Sequence, residues 1–375
     1  MRECLGFKYL HYGRFDMRLL RTFWLSAFLV LFVNMNYSLG GEFCVDTAAE
    51  LQTALSAAEN NGESDVIKVV QGIYNGNFSY SSGQVYRLEL IGGYTAGCAT
   101  QVVDPANSVL DGSGSERTLY LQNSEGGDLT VTGFTLQNGN TAGDGGGVYA
   151  ECSSAGTAGD VTLSNNIIRM NTSSQGGAGA YARSGSQSGT AGHVVMRNNI
   201  ITGNSANVGG GVFASSYSVM GTPGTVTFTN NTLTANSATL YGGGALLYAF
   251  SSSIPGGILN CYNNIFWSNT SPTGADINLL TTDDSTANAY NNLVSVVNGT
   301  WTNSGGNFSA DPLFVDAGSG NYHIRISSPC RNAGLATAPE VPQKDFEGDP
   351  RVQVDIGADE YFQTGLPGVP LLLLE

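Results

Sequence analysis

The chain has 375 residues, a formal charge of −15 and 51 glycines, and only 12% of its residues are charged. This acidity argues against nucleic acid and anionic membrane surfaces as partners, because both would repel the chain. Apolar residues make up 41% and aromatic residues 10% of the chain, which is too rich for a disordered protein, so the composition favours β structure with many turns.

Residues 1–40 are predicted to be a signal peptide. Two arginines directly after Met17 precede an apolar run at residues 23–33, and Gly40 provides a small residue for cleavage. Met17 is therefore an alternative start of the chain. The run is shorter than the roughly 20 residues that a spanning helix needs, so an uncleaved anchor is the weaker alternative. We expect an exported protein without a transmembrane segment in its mature chain.

The best helix signal lies in residues 44–62. Thr47 followed three positions later by Glu50 forms a capping box, and Leu51 and Leu55 fall on one face. An amphipathic helix here is expected to cap the first coil of a β-solenoid, whose backbone donors and acceptors would otherwise be unpaired.

The cysteine count becomes odd if Cys4 is removed with the signal peptide, so at least one of the remaining five is unpaired. We expect a disulfide between Cys44 and Cys98, because these two flank the predicted helix and the first coil. Closing a loop of that length stabilises the folded state by roughly 4 kcal/mol. Cys261 is expected to be reduced in the core, and the other two cysteines have no assigned partner.

An internal repeat organises residues 129–292. Doubled asparagines recur at spacings of 33, 32, 33 and 28 residues, at Asn165-Asn166, Asn198-Asn199, Asn230-Asn231, Asn263-Asn264 and Asn291-Asn292. A further asparagine follows five residues after each of the first four doublets, at Asn171, Asn204, Asn236 and Asn269. A period of this kind is typical of solenoid architectures.

Two apolar columns precede the doublets, and they are two residues apart in every repeat. The columns are Leu129, Val161, Val194, Val226 and Leu259, then Val131, Leu163, Met196, Phe228 and Cys261. A period of two within a repeat indicates a β-strand, and the longer period stacks these strands in parallel. A second strand after the doublet and a third after the glycine cluster complete each predicted coil.

The repeated asparagines are expected to form ladders. At a coil spacing of about 4.8 Å, one side-chain amide can donate to the carbonyl of the next and so satisfy a buried polar turn. Sequons such as the one that begins at Asn171 are then structural positions and not glycosylation sites.

The repeats resemble those of bacterial right-handed parallel β-helix proteins and polymorphic outer-membrane proteins. The units that carry the resemblance are Phe266-Trp267-Ser268-Asn269 and Ile201-Thr202-Gly203-Asn204 with Gly209-Gly210-Gly211-Val212. The C-terminal motifs at residues 311–316, 328–334, 345–351 and 354–361 resemble the choice-of-anchor Q domain of secreted or surface-bound bacterial β-helix proteins.

The resemblance implies an all-β fold, a right-handed parallel β-helix like that of pectate lyases. We expect it to have an N-terminal capping helix and a C-terminal cap segment. The predicted boundaries are 41–304 for the solenoid with its N-terminal cap, 305–361 for the anchor-like segment and 362–375 for a short tail. The tail is too short to cross a bilayer. The resemblance also implies an extracellular location or one on the outer surface of a bacterial cell.

Enzymes that resemble pectate lyases carry their catalytic residues on the outward face of the first strand. Here the outward residues are Thr130, Thr132, Thr162, Ser164, Val195, Arg197, Thr227, Thr229, Asn260, Tyr262, Asn288 and Tyr290. Arg197 is the one charged residue among them. Because β-elimination needs a cation and a base, and hydrolysis needs two carboxylates, this face does not predict catalysis.

The sequence therefore predicts a non-enzymatic module that presents a polar face to carbohydrate or cell-surface components. The expected ligand-binding residues are Arg197, Asn260, Tyr262, Asn288 and Tyr290. An alternative is a polysaccharide lyase or glycoside hydrolase that uses first-coil acids such as Asp104 and Asp111.

Other candidates for chemistry are weaker. Asp283 and Asp284 read as a surface turn, and His193 begins a strand with no evident partner. The alternating acids Asp345, Glu347 and Asp349 give a weak signal for Ca²⁺, so no cofactor and no metal site are predicted. No catalytic residue is assigned.

Overall fold

The computed structural model describes residues 40–251, 256–282 and 284–362. The predicted signal peptide up to Leu39, Asp283 and the tail from residue 363 lie outside the described residues. The rest is mostly β structure, a parallel β-solenoid of about 7 turns with one short N-terminal helix.

Four parallel sheets run along the solenoid, and the strands below are those of the described residues. Sheet 1 contains Gly41–Val45, Asp65–Val70, Leu88–Tyr94, Leu129–Thr132, Val161–Ser164, Val194–Arg197, Thr225–Thr229, Ile258–Tyr262, Thr286–Tyr290 and Asn303–Gly305. Sheet 2 contains Gly72–Asn75, Ser108–Asp111, Thr135–Gln137, Ile167–Arg169, Ile200–Thr202, Thr232–Thr234 and Ile265–Trp267. Sheet 3 contains Phe78–Ser82, Leu119–Asn123, Val148–Ser154, Ala180–Ser186, Val212–Ser218, Ala245–Ser251, Ile277–Leu280 and Val297–Asn298. Sheet 4 contains Asn140–Thr141, Thr172–Ser173, Ser205–Val208 and Ser237–Tyr241.

The register of these sheets places like residues on top of one another. Leu163 pairs with Met196, which pairs with Phe228, which pairs with Cys261, and all four side chains are fully buried. The predicted strand columns are therefore confirmed. Sheet 4 was not predicted, because its short strands carry no apolar periodicity. Three of them follow directly after Asn171, Asn204 and Asn236.

The N-terminal helix, Ala48–Ala58, packs Leu51 and Leu55 into the first coils. Its start follows the predicted capping residue, since the Thr47 hydroxyl accepts from the Glu50 backbone N–H at 3.2 Å. A disulfide joins Cys44 to Cys98 with their Cα atoms 5.8 Å apart. It ties the first strand to the short 3₁₀ turn Ala96–Cys98. The free thiols of Cys152, Cys261 and Cys330 are buried.

The second asparagine of each doublet is buried in a continuous ladder. Asn199 Nδ2 donates to Asn231 Oδ1 at 2.9 Å, and the Asn199 backbone N–H donates to the same oxygen at 3.0 Å. The same pattern joins the residues Asn166, Asn199, Asn231, Asn264, Asn292 and Asn307. A second ladder joins Asn171, Asn204, Asn236 and Asn269. The expected ladders are present, and Asn171 is 1% exposed.

The first asparagine of each doublet has a different role. It adopts a left-handed backbone conformation, with φ between 51° and 56°, and so turns the chain between sheets 1 and 2. In the later coils its side chain donates to residues 309–361, which we call the C-terminal segment. Asn230 Nδ2 donates to the Asp355 carbonyl at 2.8 Å, and Asn291 Nδ2 donates to the Ala333 carbonyl at 2.9 Å.

The C-terminal segment folds back along the side of the solenoid over the outward face of sheet 2. Ile200 packs against Phe346 and Ala358. Ile265 packs in a neighbouring cluster with Ile324, Cys330 and Ile356. The sequence predicted this segment as a cap, and the structure shows it instead as a side brace. The reason is the isoleucines that sheet 2 exposes outward, since they need an apolar cover.

Truncating a ladder asparagine tests the role of these side chains. We expect Asn231→Ala to lower the free energy of unfolding by roughly 1–3 kcal/mol, because Asn199 and Asn264 would lose buried partners. Chemical denaturation followed by circular dichroism measures this. Asn60→Ala is the control, since Asn60 is exposed and its side chain makes no hydrogen bond among the described residues. Equal effects of the two substitutions would contradict the ladder's contribution.

Candidate ligand-binding face

Four of the predicted ligand-binding residues lie side by side on the outward face of sheet 1. The register pairs Asn260 with Asn288 and Tyr262 with Tyr290. Each strand alternates, so the residues between them point into the core, and Cys261 is fully buried. The face therefore presents an amide row beside a tyrosine pair at its C-terminal end.

The amide row is longer than the sequence indicated. Asn288 Nδ2 donates to Asn260 Oδ1 at 2.9 Å, and Asn303 Nδ2 donates to Asn288 Oδ1 at 2.9 Å. The row starts at Thr227, whose Oγ1 accepts from Asn260 Nδ2 at 3.4 Å. Asn303 was missed because its coil is much shorter than the earlier ones, so the repeat spacing does not reach it.

The tyrosine pair is stacked. The ring centroids of Tyr262 and Tyr290 are 5.6 Å apart and the ring planes differ by 17°. One face of each ring is therefore covered by the other ring. The register places Thr229 next to Tyr262 on the other side, and Thr229 is buried with its hydroxyl donating to the Pro339 carbonyl at 2.7 Å. On its other side, Tyr290 pairs in the register with Gly305, which has no side chain.

Arg197 lies apart from these four residues, in the tyrosine column but two coils earlier. Its Nη1 is 2.5 Å from Glu340 Oε2 of the C-terminal segment. The two residues lie at a cavity of about 320 Å³, lined by Asp160, Thr162, His193, Val195, Arg197, Thr225, Thr227, Asn260, Pro339 and Glu340. Asn260 belongs to both the cavity and the amide row, so the two are continuous.

This cavity corrects two expectations. The sequence placed no carboxylate on the face, yet the C-terminal segment brings Glu340 to it from far along the chain. The sequence also showed no partner for His193, whose Nδ1 accepts from the Thr225 backbone N–H at 3.0 Å. The His193 backbone N–H donates to Asp160 Oδ1 at 2.6 Å. His193 and Asp160 thus tie successive coils together at the start of sheet 1 strands.

The acids of the alternative enzymatic prediction serve turns. Asp104 Oδ1 accepts from the Ala106 backbone N–H at 2.9 Å and caps the 3₁₀ turn Pro105–Asn107. Asp111 accepts from Ser113, Gln137 and Asn138 at 2.7–2.9 Å. Asp284 lies in an exposed turn. The structure does not bring Asp104 and Asp111 onto the sheet 1 face.

The weak Ca²⁺ candidate is occupied by backbone donors. Asp345 Oδ1 accepts from the N–H groups of Glu347, Gly348 and Asp349 at 2.8–3.0 Å, and its Oδ2 accepts from Glu360 at 3.1 Å. Asp345 therefore closes a turn within the C-terminal segment. In the part of the chain that the structure describes, no three His, Cys, Asp or Glu side chains are grouped to hold a metal ion.

A charged cluster beside a second cavity was not predicted. His323 Nδ1 lies 2.8 Å from Asp359 Oδ1, and His323 Nε2 lies 3.4 Å from Glu347 Oε2. The hydrogen bond that His323 donates to Asp359 raises the pKa of His323 to about 9. Burial raises the pKa of Glu347 to about 7. His323 and Glu347 face a cavity of about 590 Å³ between the C-terminal segment and sheet 2, with apolar walls that include Ile200 and Phe346.

Sheet 3 carries an outward column of stacked rings that the sequence analysis assigned only to a strand. Successive centroids of Tyr120, Tyr149, Tyr181 and Phe213 are 4.8–5.0 Å apart. The Tyr149 hydroxyl donates to Glu151, which also pairs with Arg183 at 3.5 Å. Because ring faces cover one another and these polar groups satisfy each other, the column is a packing feature of the sheet.

No family model matches this chain, and no curated protein matches it. Across residues 40–251, 256–282 and 284–362, no helix has both the length and the apolar character needed to cross a membrane.

The cluster around His323 predicts a pH dependence. Asp359 stabilises the protonated imidazole, so this contribution is complete below the ordinary pKa of 6.5 and is lost as the pH rises through about 9. Glu347 acts in the same direction at lower pH, because burial disfavours its charged form and this cost grows as the pH rises from 4.5 to about 7. We expect the thermal unfolding midpoint to decrease as the pH rises from 6.5 to about 9. His323→Gln should flatten the later part of this decline, and an unchanged profile in that variant would contradict the assignment.

Proposed function

We propose that this chain is an exported, non-catalytic β-solenoid that binds glycans on the outward face of sheet 1. It would act as a secreted or cell-surface module. We further propose that the solenoid is a right-handed, pectate-lyase-like helix with a choice-of-anchor Q segment, and that the protein is bacterial. That classification rests on the repeat units and the C-terminal motifs.

One observation carries the proposal. Tyr262, Tyr290, Asn260 and Asn288 form a contiguous patch of aromatic and amide groups on a parallel sheet. Aromatic side chains offer apolar surface to the faces of sugar rings, and amides offer both a donor and an acceptor to hydroxyl groups. The neighbouring groove at Arg197 extends the same face along the solenoid axis.

The charge of the chain supports a polar but uncharged ligand class. With a net charge of −15, the protein would repel nucleic acid and anionic lipid surfaces. The carboxylates of the C-terminal motifs make structural contacts. Glu360 pairs with the buried Arg351 at 2.9 Å, and Asp355 accepts from the backbone N–H groups of Asn332 and Tyr361. They are therefore poor candidates for binding a ligand.

Removing both rings tests the proposal. On a broad glycan array we expect the parent protein to bind and Tyr262→Ala with Tyr290→Ala to lose binding, with a small change in the unfolding midpoint. Tyr248→Ala is the matched control, because Tyr248 is half-buried on sheet 3. No binding by the parent protein, or unchanged binding by the double variant, removes the proposal.

A polysaccharide lyase or glycoside hydrolase is the second candidate, and the His323 cluster is the observation that favours it. Glu347 has a pKa near neutrality, which suits a general acid, and it faces an apolar cavity. The negative charge of Asp104 is a further cause of the raised pKa of Glu347. Hydrolysis of a glycosidic bond requires a second carboxyl group besides the general acid.

This second candidate predicts cleavage that depends on Glu347. If it holds, the parent protein releases reducing ends from at least one polysaccharide in a broad panel, and Glu347→Gln lowers the rate by about 100-fold or more. Tyr290→Ala should keep that activity. Absence of cleavage by the parent, or cleavage that survives Glu347→Gln, eliminates the enzymatic reading, whereas cleavage abolished by this one substitution eliminates the non-catalytic one.

A further inference from the structure

At the C-terminal end of the sheet 1 face, one side of the Tyr290 ring is paired in the register with a residue that has no side chain. Tyr290 stacks on Tyr262 with one face, and its register partner on the other side is Gly305. A Cβ atom at position 305 would lie 3.2 Å from Cε1 and 3.3 Å from Cδ1 of Tyr290. The ring therefore lies over Gly305, where any other residue would place a side chain against it.

The polar groups needed beside a sugar ring are present on the same strand. Asn303 is two residues before Gly305, so both lie on the outward side. Asn303 is exposed and ends the amide row, with its Nδ2 donating to Asn288 Oδ1 at 2.9 Å. Among the described residues, no hydrogen bond to Asn303 Oδ1 is found, so this oxygen is available to a hydroxyl donor.

The charge at this end indicates the class of ligand. Tyr290, Asn303, Gly305 and Asn288 carry no charge, and Arg197 further along the face is neutralised by Glu340. A uronate or sulfate group would meet no positive partner here, and the net charge of −15 would repel it. A neutral sugar has the ring faces and hydroxyl groups that an aromatic ring and amides recognise.

We propose that this end of the face is a subsite for the terminal residue of a neutral glycan. The sugar ring lies on Tyr290 above Gly305, its hydroxyl groups bond to Asn303 and Asn288, and the rest of the glycan follows the amide row towards the Arg197 groove. The proposal rests on the proposed glycan binding and makes it specific. Tyr262 lies between Thr229 and Tyr290 in the register and stacks on the inner face of Tyr290.

The decisive variant closes the subsite without removing an aromatic ring. The full chain and its Gly305→Val variant are titrated calorimetrically with neutral gluco-, manno- and galacto-oligosaccharides and with polygalacturonate. We expect the parent to bind a neutral oligosaccharide and not polygalacturonate, and Gly305→Val to weaken that binding about tenfold or more. Tyr290→Ala should weaken it likewise, and Tyr248→Ala on sheet 3 is the control that should leave it unchanged.

Each outcome decides something. If Gly305→Val does not fold, as judged by circular dichroism, then Tyr290→Ala and Asn303→Ala replace it, and both must weaken binding. If the parent binds a neutral oligosaccharide but these variants bind equally well, the subsite is wrong and the glycan-binding function stands. Binding of polygalacturonate alone refutes the neutral class. A parent that binds none of the probes overturns the function and the subsite together.

Discussion

The hydrogen bonds between stacked asparagines are the constraint on which the rest of the structure depends. A parallel solenoid must turn its chain between sheets in every coil, and the backbone groups of those turns are buried. An unpaired buried amide is costly, so each turn needs a side chain that satisfies it. Asn199 Nδ2 donates to the Leu163 carbonyl of the preceding coil and to Asn231 Oδ1 of the following coil. Because each rung bonds to the next coil in register, the ladder also fixes the alignment of sheets 1 and 2.

The doubling of the asparagines links this ladder to the C-terminal segment. Within a doublet such as Asn263-Asn264, the second residue bonds along the solenoid axis and the first bonds outward, with Asn263 Oδ1 accepting from the Leu335 backbone N–H at 2.7 Å. The brace covers the outward isoleucines of sheet 2 and brings Glu340 to the edge of the sheet 1 face. The candidate ligand-binding face is thus shaped partly by a residue from far along the chain, Glu340, which lies beside Arg197.

The repeat made much of the fold accessible from the sequence. The column through Leu163, Met196 and Phe228 could be read directly, because the side-chain period of a strand and the period of the coil are both visible in the letters. Tyr262 and Tyr290 could be placed on adjacent coils by the same argument. These inferences succeed since in-register stacking converts sequence spacing into spatial neighbourhood.

The features that could not be predicted from the sequence depend on contacts between residues that lie outside the repeat. The pairing of Arg197 with Glu340, the partners of His323 and the path of the C-terminal segment all join positions whose separation follows no repeat. The uncovered side of Tyr290 was also not predicted, because it depends on Gly305, which lies in a coil of irregular length. Such features arise from packing between non-repeating elements. The local sequence pattern does not indicate which residues of these elements become neighbours.

The most direct test of the account is the exchange of side-chain amide protons, followed residue by residue with NMR. We predict slow exchange for the buried ladder amides of Asn199, Asn231 and Asn264, which are fully buried and bonded on both sides. The side-chain amides of exposed Asn60 and Asn332, which donate no hydrogen bond among the described residues, should exchange rapidly. Ladder amides that exchange as fast as those two would show that the stack does not hold the coils together, and would contradict the account.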